Sequence, residues 1–151
     1  MRITAKVDYA VRAMCELAGQ GGGPVRGERL ATAQAIPHSF LENILHELKR
    51  AGLVATQRGV DGGYRLAKPA SEISVADIIR AVEGPLADVR GARPDSLTYE
   101  GSAGPLRDVW LAVRANLRAV LEVVTVADIA EGHLPELIPR LLNDPEASRP
   151  H

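Results

Sequence analysis

The 151-residue sequence predicts a mainly α-helical fold with one small β-hairpin and a long helix toward its C-terminal end. Three observations support this prediction. Apolar residues recur at helical spacing in several segments, two short β-prone runs flank a glycine-rich turn at residues 59–63, and a heptad-like apolar seam occupies residues 106–124. Because the chain has one Trp, one Phe and three Tyr, its core must be built mainly from aliphatic side chains.

The N-terminal segment predicts two helices. In the first, apolar residues recur in steps of three and four from Val7 to Ala18, and Thr4 is placed to cap the helix. A second, shorter helix is expected over residues 28–35. It must end by Ile36, because the residue before a proline is disfavoured in helical backbone.

A third helix is expected over residues 39–51, where Ser39 and Glu42 match the capping box in which each side chain satisfies a free amide of the helix start. The short connection between this helix and the preceding one is typical of a helix-turn-helix. Residues 53–58 and 64–67 then predict two strands joined by a glycine-rich turn, an arrangement that forms a wing when it follows such a helix pair. Residues 1–85 are therefore predicted to form a winged helix-turn-helix domain.

The C-terminal half of the chain predicts a different unit. Ser74 caps a further short helix, and residues 86–104 lack periodicity and are expected to form a loop. Residues 105–131 are expected to hold a dimerisation helix, spanning 105–124, and a short helix after it, whereas residues 132–151 predict a partly disordered tail. On periodicity alone, the seam fits an ordinary core-facing helix equally well. The seam consists of Leu106, Trp110, Val113, Leu117, Val120 and Val124.

The net charge of −1 hides an uneven distribution. Residues 1–70 carry ten Lys and Arg against six Asp and Glu, whereas residues 71–151 carry eight against thirteen. This division would be explained if the basic half faces a polyanion and the acidic half has a different function. Chance variation of the surface is the alternative that charge alone leaves open.

Several classes of protein find no support in the sequence. The chain has no apolar run of the roughly 20 residues that a membrane span requires and no signal peptide, so we expect a cytoplasmic protein without membrane contacts. The single cysteine, Cys15, excludes an internal disulfide, and the scattered histidines predict no metal site. No nucleophile motif or phosphate-binding loop indicates an enzyme. RNA binding is disfavoured because the basic half lacks paired stacking aromatics.

The third helix and the wing supply candidate contacts to double-stranded DNA. Glu42 can accept from a cytosine amino group, Asn43 can contact an adenine edge, and Ser39 is a third candidate for reading bases. A purely capping role is the alternative for Glu42. Lys49, Arg50 and the wing arginines are better suited to phosphates. The predicted DNA-contact set is His38, Ser39, Glu42, Asn43, His46, Lys49, Arg50, Arg58, Gly62, Gly63 and Arg65.

Several short motifs, taken together, are similar to those of one known family. They include residues 9–14 in the first helix, Leu41-Glu42 in the third, residues 52–54 before the wing and Gly62-Gly63-Tyr64 within it. In these motifs the chain resembles, over about residues 1–131, the Rrf-type winged helix-turn-helix repressors, which include IscR, NsrR and CymR. The resemblance implies a homodimeric regulator of a palindromic operator. It also implies that the recognition helix enters the major groove, the wing contacts the minor groove or the backbone, and the long helix packs against its dimer mate.

The chain departs from the cluster-binding members of this family at their metal ligands. Those members carry three cysteines in the loop before the dimer helix, whereas residues 86–104 contain none. Asp8 matches a family position that can supply a carboxylate ligand, but Arg12 and Arg107 stand where variants of the site carry histidine. Because iron–sulfur clusters require thiolate ligands, we expect no cluster and no other cofactor.

The sequence leaves the regulatory signal open. Cys15 fits a small buried hydrophobe better than a redox-sensitive thiol, since no basic partner is evident. Trp110 fits packing better than the lining of a ligand pocket, although that second role is a hypothesis. The signal could be a small molecule, a thiol modification or a partner protein. The alternative mechanism is control of DNA affinity by contact with a metabolic enzyme.

Overall fold

The computed structural model describes residues 1–150 and confirms a mainly helical fold with one antiparallel hairpin. His151, the last residue of the predicted tail, lies outside the described residues. The helices are α1 (Ala5–Gly19), α2 (Gly27–Gln34), α3 (His38–Arg50), α4 (Val75–Val82), α5 (Leu106–Leu121), α6 (Val126–Glu131) and α7 (Leu137–Leu142), and the strands are β1 (Val54–Gln57) and β2 (Gly63–Leu66).

Helices α1, α2 and α3 enclose an aliphatic core. The Thr4 side chain accepts a hydrogen bond from the Val7 amide at 3.2 Å, which confirms the predicted cap of α1. Each helix turns its periodic apolar stripe inward, and Met14, Leu30 and Leu45 are completely shielded from solvent. This packing fixes α3 against α1, so the outer face of α3 is presented on a rigid support.

Helix α3 begins one residue earlier than the sequence predicts, and its predicted capping box is wrong. Pro37 occupies the N-cap position, and no side chain caps the helix there. Proline fixes its own φ, here −56°, and the backbone enters the helix directly at His38. Ser39 therefore lies inside the first turn rather than at its cap, and its hydroxyl is not committed to the helix end.

The hairpin confirms the predicted wing, with slightly shorter strands. β1 and β2 pair in antiparallel register, with Val54 opposite Leu66 and Gln57 opposite Gly63. Val25 pairs with the other edge of β2 in an isolated antiparallel bridge, since Val25 and Tyr64 exchange two backbone hydrogen bonds of 2.7 Å. The wing is thereby tied to the segment that leads into α2.

The chain after α5 returns to the winged domain, and this differs from the predicted boundaries. Helix α5, predicted as the dimerisation helix over residues 105–124, ends at Leu121. Val124 is buried inside the protomer, where its carbonyl accepts from the Val75 amide at 3.0 Å. Val126, at the start of α6, is fully buried in the core that α1 and α3 share. Val124 is therefore a core residue and not part of an outward-facing seam.

Two further segments are more ordered than their sequences predict. The 86–104 segment has no α-helix, but it contains short 3₁₀ turns and anchors itself through the buried residues Leu86, Pro94 and Leu97. In the 132–150 segment, α7 and a 3₁₀ turn over residues 145–148 replace part of the expected disorder. The tail nevertheless contributes no buried side chain.

Candidate nucleic-acid interface

The outer face of α3 carries the polar residues that the sequence predicts for base reading. The inner face buries Leu41, Ile44, Leu45 and Leu48, and helical geometry places the remaining positions around the opposite side. The predicted residues on this helix are all exposed: His38, Ser39, Glu42, Asn43, His46, Lys49 and Arg50. The helix thus presents hydroxyl, carboxylate, amide and imidazole groups along one face, with two cations in its last turn.

His38 lies between two carboxylates at the start of α3. Its Nε2 is 3.8 Å from Glu28 Oε1 on α2, and its Nδ1 is 3.8 Å from Glu42 Oε1 one turn along α3. Neither distance is a hydrogen bond, so both carboxylates keep their acceptor capacity. Glu42 has 61% of its side chain exposed and does not cap the helix, which leaves it free to accept from a base.

Gly62 and Gly63 are required by the backbone geometry of the wing, which leaves no room for a side chain at either position. A Cβ on Gly62 would lie 2.3 Å from the Gln57 carbonyl oxygen, and one on Gly63 would lie 2.5 Å from the Val25 carbonyl oxygen. In both cases the obstructing atom is backbone, so relief of the clash would disturb the hairpin at Gly62 and the Val25–Tyr64 bridge at Gly63. Gly62 is also buried and shapes the turn that carries Arg58, and its contact with DNA stays a prediction.

Two wing arginines are exposed on either side of this turn. Arg58 follows β1 directly, and its guanidinium forms no hydrogen bond or ion pair with another described residue. Arg65 lies within β2, and the only hydrogen bond of its guanidinium to the described part of the chain is a long one, 3.5 Å, to the Leu66 carbonyl. Both side chains are therefore free for an external anion.

Sequence reasoning missed two features of this surface. Arg26 donates from its guanidinium to the Val60 carbonyl at the wing tip, and with Arg29 it lines a cleft of about 450 Å³ between α2 and the wing. Phe40, the only phenylalanine, is 62% exposed on α3. The position of Phe40 outside the buried stripe could have revealed its exposure, but no sequence pattern places Arg26 beside the wing.

Polar contacts also lock α1 to the helix pair. Lys6 Nζ lies 2.8 Å from Glu47 Oε2 on α3. Arg12 pairs with Asp8 at 2.9 Å, stacks over the Tyr9 ring with its guanidinium carbon 5.3 Å from the ring centroid, and donates to the last carbonyl of α2. Asp8 is thus occupied by an arginine of its own helix.

Helix α5 differs from the other long helices because none of its 16 residues is buried. Five of the six predicted seam residues lie on it and are half-buried, namely Leu106, Trp110, Val113, Leu117 and Val120. Val109, beside them, is 52% exposed. The sixth, Val124, belongs to the protomer core as described above. An apolar face of this length is incompletely covered by its own chain.

Cys15 is half-buried on α1. Burial, and then the neighbouring carboxylate of Glu16, raise the pKa of its thiol above the ordinary value. A raised pKa lowers the thiolate fraction at neutral pH, and the thiolate is the reactive form. Cys15 is consequently a poor candidate for a redox-sensitive switch.

The described residues contain no group of three or more His, Cys, Asp or Glu side chains arranged to hold a metal ion. No described helix combines the length and the apolar composition needed to cross a membrane.

The geometry defines a class of protein. Helices α2 and α3, joined by a short turn and followed by the β1–β2 hairpin, form a winged helix-turn-helix. Its outer helix face and its basic wing together make a surface for DNA.

Comparison with known proteins specifies the family. The family model Rrf2, described as an iron-dependent transcriptional regulator, matches residues 3–132. The chain belongs to this Rrf2 family of transcriptional regulators. It is 49% identical, over 145 residues, to an inferred HTH-type transcriptional regulator of Mycobacterium tuberculosis, covering 95% of this chain and 90% of the relative. It is 33% identical to the regulator CymR of Bacillus subtilis over 131 residues, covering 86% of this chain and 90% of CymR.

Solved structures agree with this assignment. The structure of CymR, described as the global cysteine regulator of B. subtilis, superposes with a TM-score of 0.74 at 33% identity, covering 87% of this chain and 98% of that one. The structure of IscR from T. potens superposes with a TM-score of 0.70 at 32% identity, covering 100% of this chain and 93% of that one.

The residues of this chain do not fit the iron–sulfur cluster that the resemblance to cluster-binding family members suggests. The chain has a single cysteine, and that residue lies on α1 with a thiol whose pKa is raised by burial. The loop before α5 offers no thiol, and Asp8 is paired with Arg12. A thiolate-ligated cluster therefore lacks its donor set in one chain.

Proposed function

We propose that this regulator is a homodimeric repressor that binds a palindromic operator without an iron–sulfur cluster. The observation that carries the proposal is the apolar face of α5, which its own protomer leaves partly uncovered beside a winged domain whose core is fully packed. A second copy is the simplest cover for this face, because closed two-fold assemblies bury the same patch of both subunits.

Leu117 and Val120 are the central candidates for this interface. They lie one turn apart on α5 and are half-buried in the protomer. Full burial of an exposed side chain of this type contributes roughly 1.5–3 kcal/mol, and each of these half-buried side chains would gain part of that in a dimer. A charge at the centre of this contact would be strongly unfavourable, since it would be buried without a partner.

A two-fold dimer gives the recognition helix its operator geometry. Symmetry-related copies of α3 would face successive major grooves, and the operator would then be an inverted repeat with half-sites about one helical turn apart or a multiple of it. Within each half-site, Ser39, Glu42 and Asn43 would read bases. Arg50 and Arg58 would contact phosphates. A dimer bound over a promoter represses transcription by blocking access to the promoter. This mechanism requires no additional interaction surface on the regulator.

The experiment compares two charge insertions on one helix. Leu117→Glu places a carboxylate on the apolar face, whereas Ala115→Glu places the same charge on an exposed position of the opposite face. We expect Leu117→Glu to be a monomer by light scattering and to bind operator DNA at least 100-fold more weakly. Ala115→Glu should remain a dimer with unchanged affinity.

Two results would contradict the proposal. A dimeric Leu117→Glu variant would place the interface elsewhere on the chain. A reporter gene whose expression falls when the regulator is deleted would identify an activator rather than a repressor at that promoter.

A further inference from the structure

A cavity of about 370 Å³ lies between the N-terminal half of α5 and the loop that precedes this helix. Its walls are mainly apolar: Trp110 and Val113 line it from the helix, Ala87 and Val89 line it from the loop, and Met1 lines it from the start of the chain. This volume is at the lower end of the range of about 300–1,000 Å³ for small-molecule sites, which are typically apolar with a few polar groups. The cavity suits a molecule with one or two rings or a branched chain.

Trp110 is held in a fixed orientation at this cavity. Its indole Nε1 donates to the Tyr99 hydroxyl, with 3.1 Å between the two atoms. The polar edge of the ring is thereby satisfied inside the protein. The apolar surface of the ring remains available to a ligand without any cost of an unpaired donor.

The loop wall is also preformed. Val89 and Ala92 exchange backbone hydrogen bonds of 2.9 and 3.0 Å, which closes a tight turn. Arg90, at the centre of this turn, has φ of 53°, a left-handed conformation that a non-glycine residue adopts only when its surroundings demand it. Asp88 stabilises the same turn, since its Oδ2 accepts from the Gly91 amide at 3.1 Å.

The two charged side chains at the cavity differ in availability. The carboxylate of Asp88 is engaged by the loop backbone. The guanidinium of Arg90 is exposed and has neither a hydrogen bond nor an ion pair with any other residue in the described range 1–150. The free group at the rim is therefore a cation. An uncommitted guanidinium favours a ligand with an anionic group such as a carboxylate or sulfonate.

We infer that this cavity binds a small anionic molecule with an aromatic or branched apolar body. The apolar body contacts Trp110 and Val113, and the anionic group pairs with Arg90. The helix face at Trp110 also belongs to the predicted dimer seam, so the second copy is the competing occupant. The proposed ligand contacts the N-terminal half of the seam, and the second copy contacts the half around Leu117.

The test uses anilinonaphthalene sulfonate, which combines fused rings with a sulfonate. Trp110 is the only tryptophan of the chain, so energy transfer from tryptophan shows that the bound dye lies within transfer range of this residue, and the substitutions below locate it at the cavity. With the unchanged 151-residue protein we expect saturable binding of one dye per chain, with energy transfer. The measurement involves no DNA, so it succeeds or fails independently of the proposed repressor function.

Two substitutions and their matched controls locate the dye. Ala87→Leu fills the cavity and should weaken binding at least tenfold, whereas Ala103→Leu, at an exposed position outside it, should have no effect. Arg90→Gln removes the rim cation and should weaken binding about tenfold, the equivalent of one charge-assisted hydrogen bond. Arg93→Gln, in the same loop but paired with Asp95, should bind the dye as the unchanged protein does.

The monomeric Leu117→Glu variant separates the ligand from the second copy. Retained dye binding with the same variant dependence supports a site within one chain. Binding that appears only in the monomer would show that the second copy fills the cavity and would overturn the proposal. Equal binding by Ala87→Leu, Arg90→Gln and the unchanged protein would overturn it as well, because the dye would then lie elsewhere.

Discussion

Replacement of Arg58 by alanine isolates the electrostatic contribution of the wing. Arg58 is exposed and uncommitted in the described structure, so its removal should not change the stability of the fold. Each phosphate contact contributes about −0.9 to the slope of log K against log salt concentration. A dimer has two wings, and the loss of two contacts should therefore lower the magnitude of this slope by about 1.8. At about 0.1 M salt, the same loss corresponds to an affinity decrease on the order of 10- to 100-fold.

The assay is a salt titration of DNA binding by fluorescence anisotropy, carried out with operator and non-operator fragments. Because a phosphate contact carries no sequence information, Arg58→Ala should weaken binding to both fragments by the same factor. Arg58→Lys keeps the charge and should keep the slope, and Arg140→Ala, on α7, serves as the control for loss of an exposed arginine. An unchanged slope for Arg58→Ala, or a loss confined to the operator, would refute the phosphate assignment.

Three further predictions follow from local geometry. Gly62→Ala should lower both the melting temperature and the DNA affinity, because the new Cβ would lie 2.3 Å from the Gln57 carbonyl oxygen. Gly23→Ala is the control and should change neither, since no atom lies within 4 Å of its Cβ. An unchanged melting temperature and DNA affinity for Gly62→Ala would contradict the clash. Ser74→Ala removes the capping box of α4 and should lower the free energy of unfolding by about 1 kcal/mol. Denaturant titration measures this change, and an unchanged free energy of unfolding would argue against the cap. Cys15 should be alkylated at neutral pH more slowly than a free cysteine, since burial raises its thiol pKa, and should react at the ordinary rate once the protein is unfolded; fast labelling of the folded protein would contradict this.

Periodicity and turn chemistry predict the architecture of this chain well. Thr4 and Ser74 cap the helices that the sequence assigns to them, because their side-chain oxygens accept from free amides of the first helical turn. The wing follows from two β-prone runs around glycines. These features depend on residues close together in the chain, and local sequence therefore contains enough information to place them.

The wrong and missed predictions have two physical causes: a competing local feature at the start of α3, and contacts between distant positions for Val124 and Arg26. The capping box at Ser39 matches the pattern, but the rigid backbone of Pro37 begins the helix earlier. Val124 continues the apolar spacing of α5, yet the chain has left the helix there and bonds to Val75, 49 positions earlier in the chain. Likewise, the contact of Arg26 with the wing tip joins residues 34 positions apart.

The site is predicted only in part for the same reason. Spacing distinguishes the buried side of α3 from its polar side, so the exposed positions around Asn43 follow from sequence. Spacing does not show which loops lie beside a helix. The cavity under Trp110 and the free guanidinium of Arg90 depend on how the 86–104 segment folds back onto α5, and only the tertiary structure shows this.

Selection of bound fragments from a random pool of double-stranded DNA tests the central claim most directly. We expect enrichment of an inverted repeat whose half-sites are one helical turn or a multiple of it apart. With Asn43→Ala, the same repeat should be enriched, but with relaxed preference at one symmetric pair of base pairs, since one base contact is worth roughly 1–3 kcal/mol. Enrichment of an asymmetric site, or an identical preference after alanine replacement of Ser39, Glu42 and Asn43 in turn, would contradict the assignment of α3 as the recognition helix of a dimeric DNA-binding regulator.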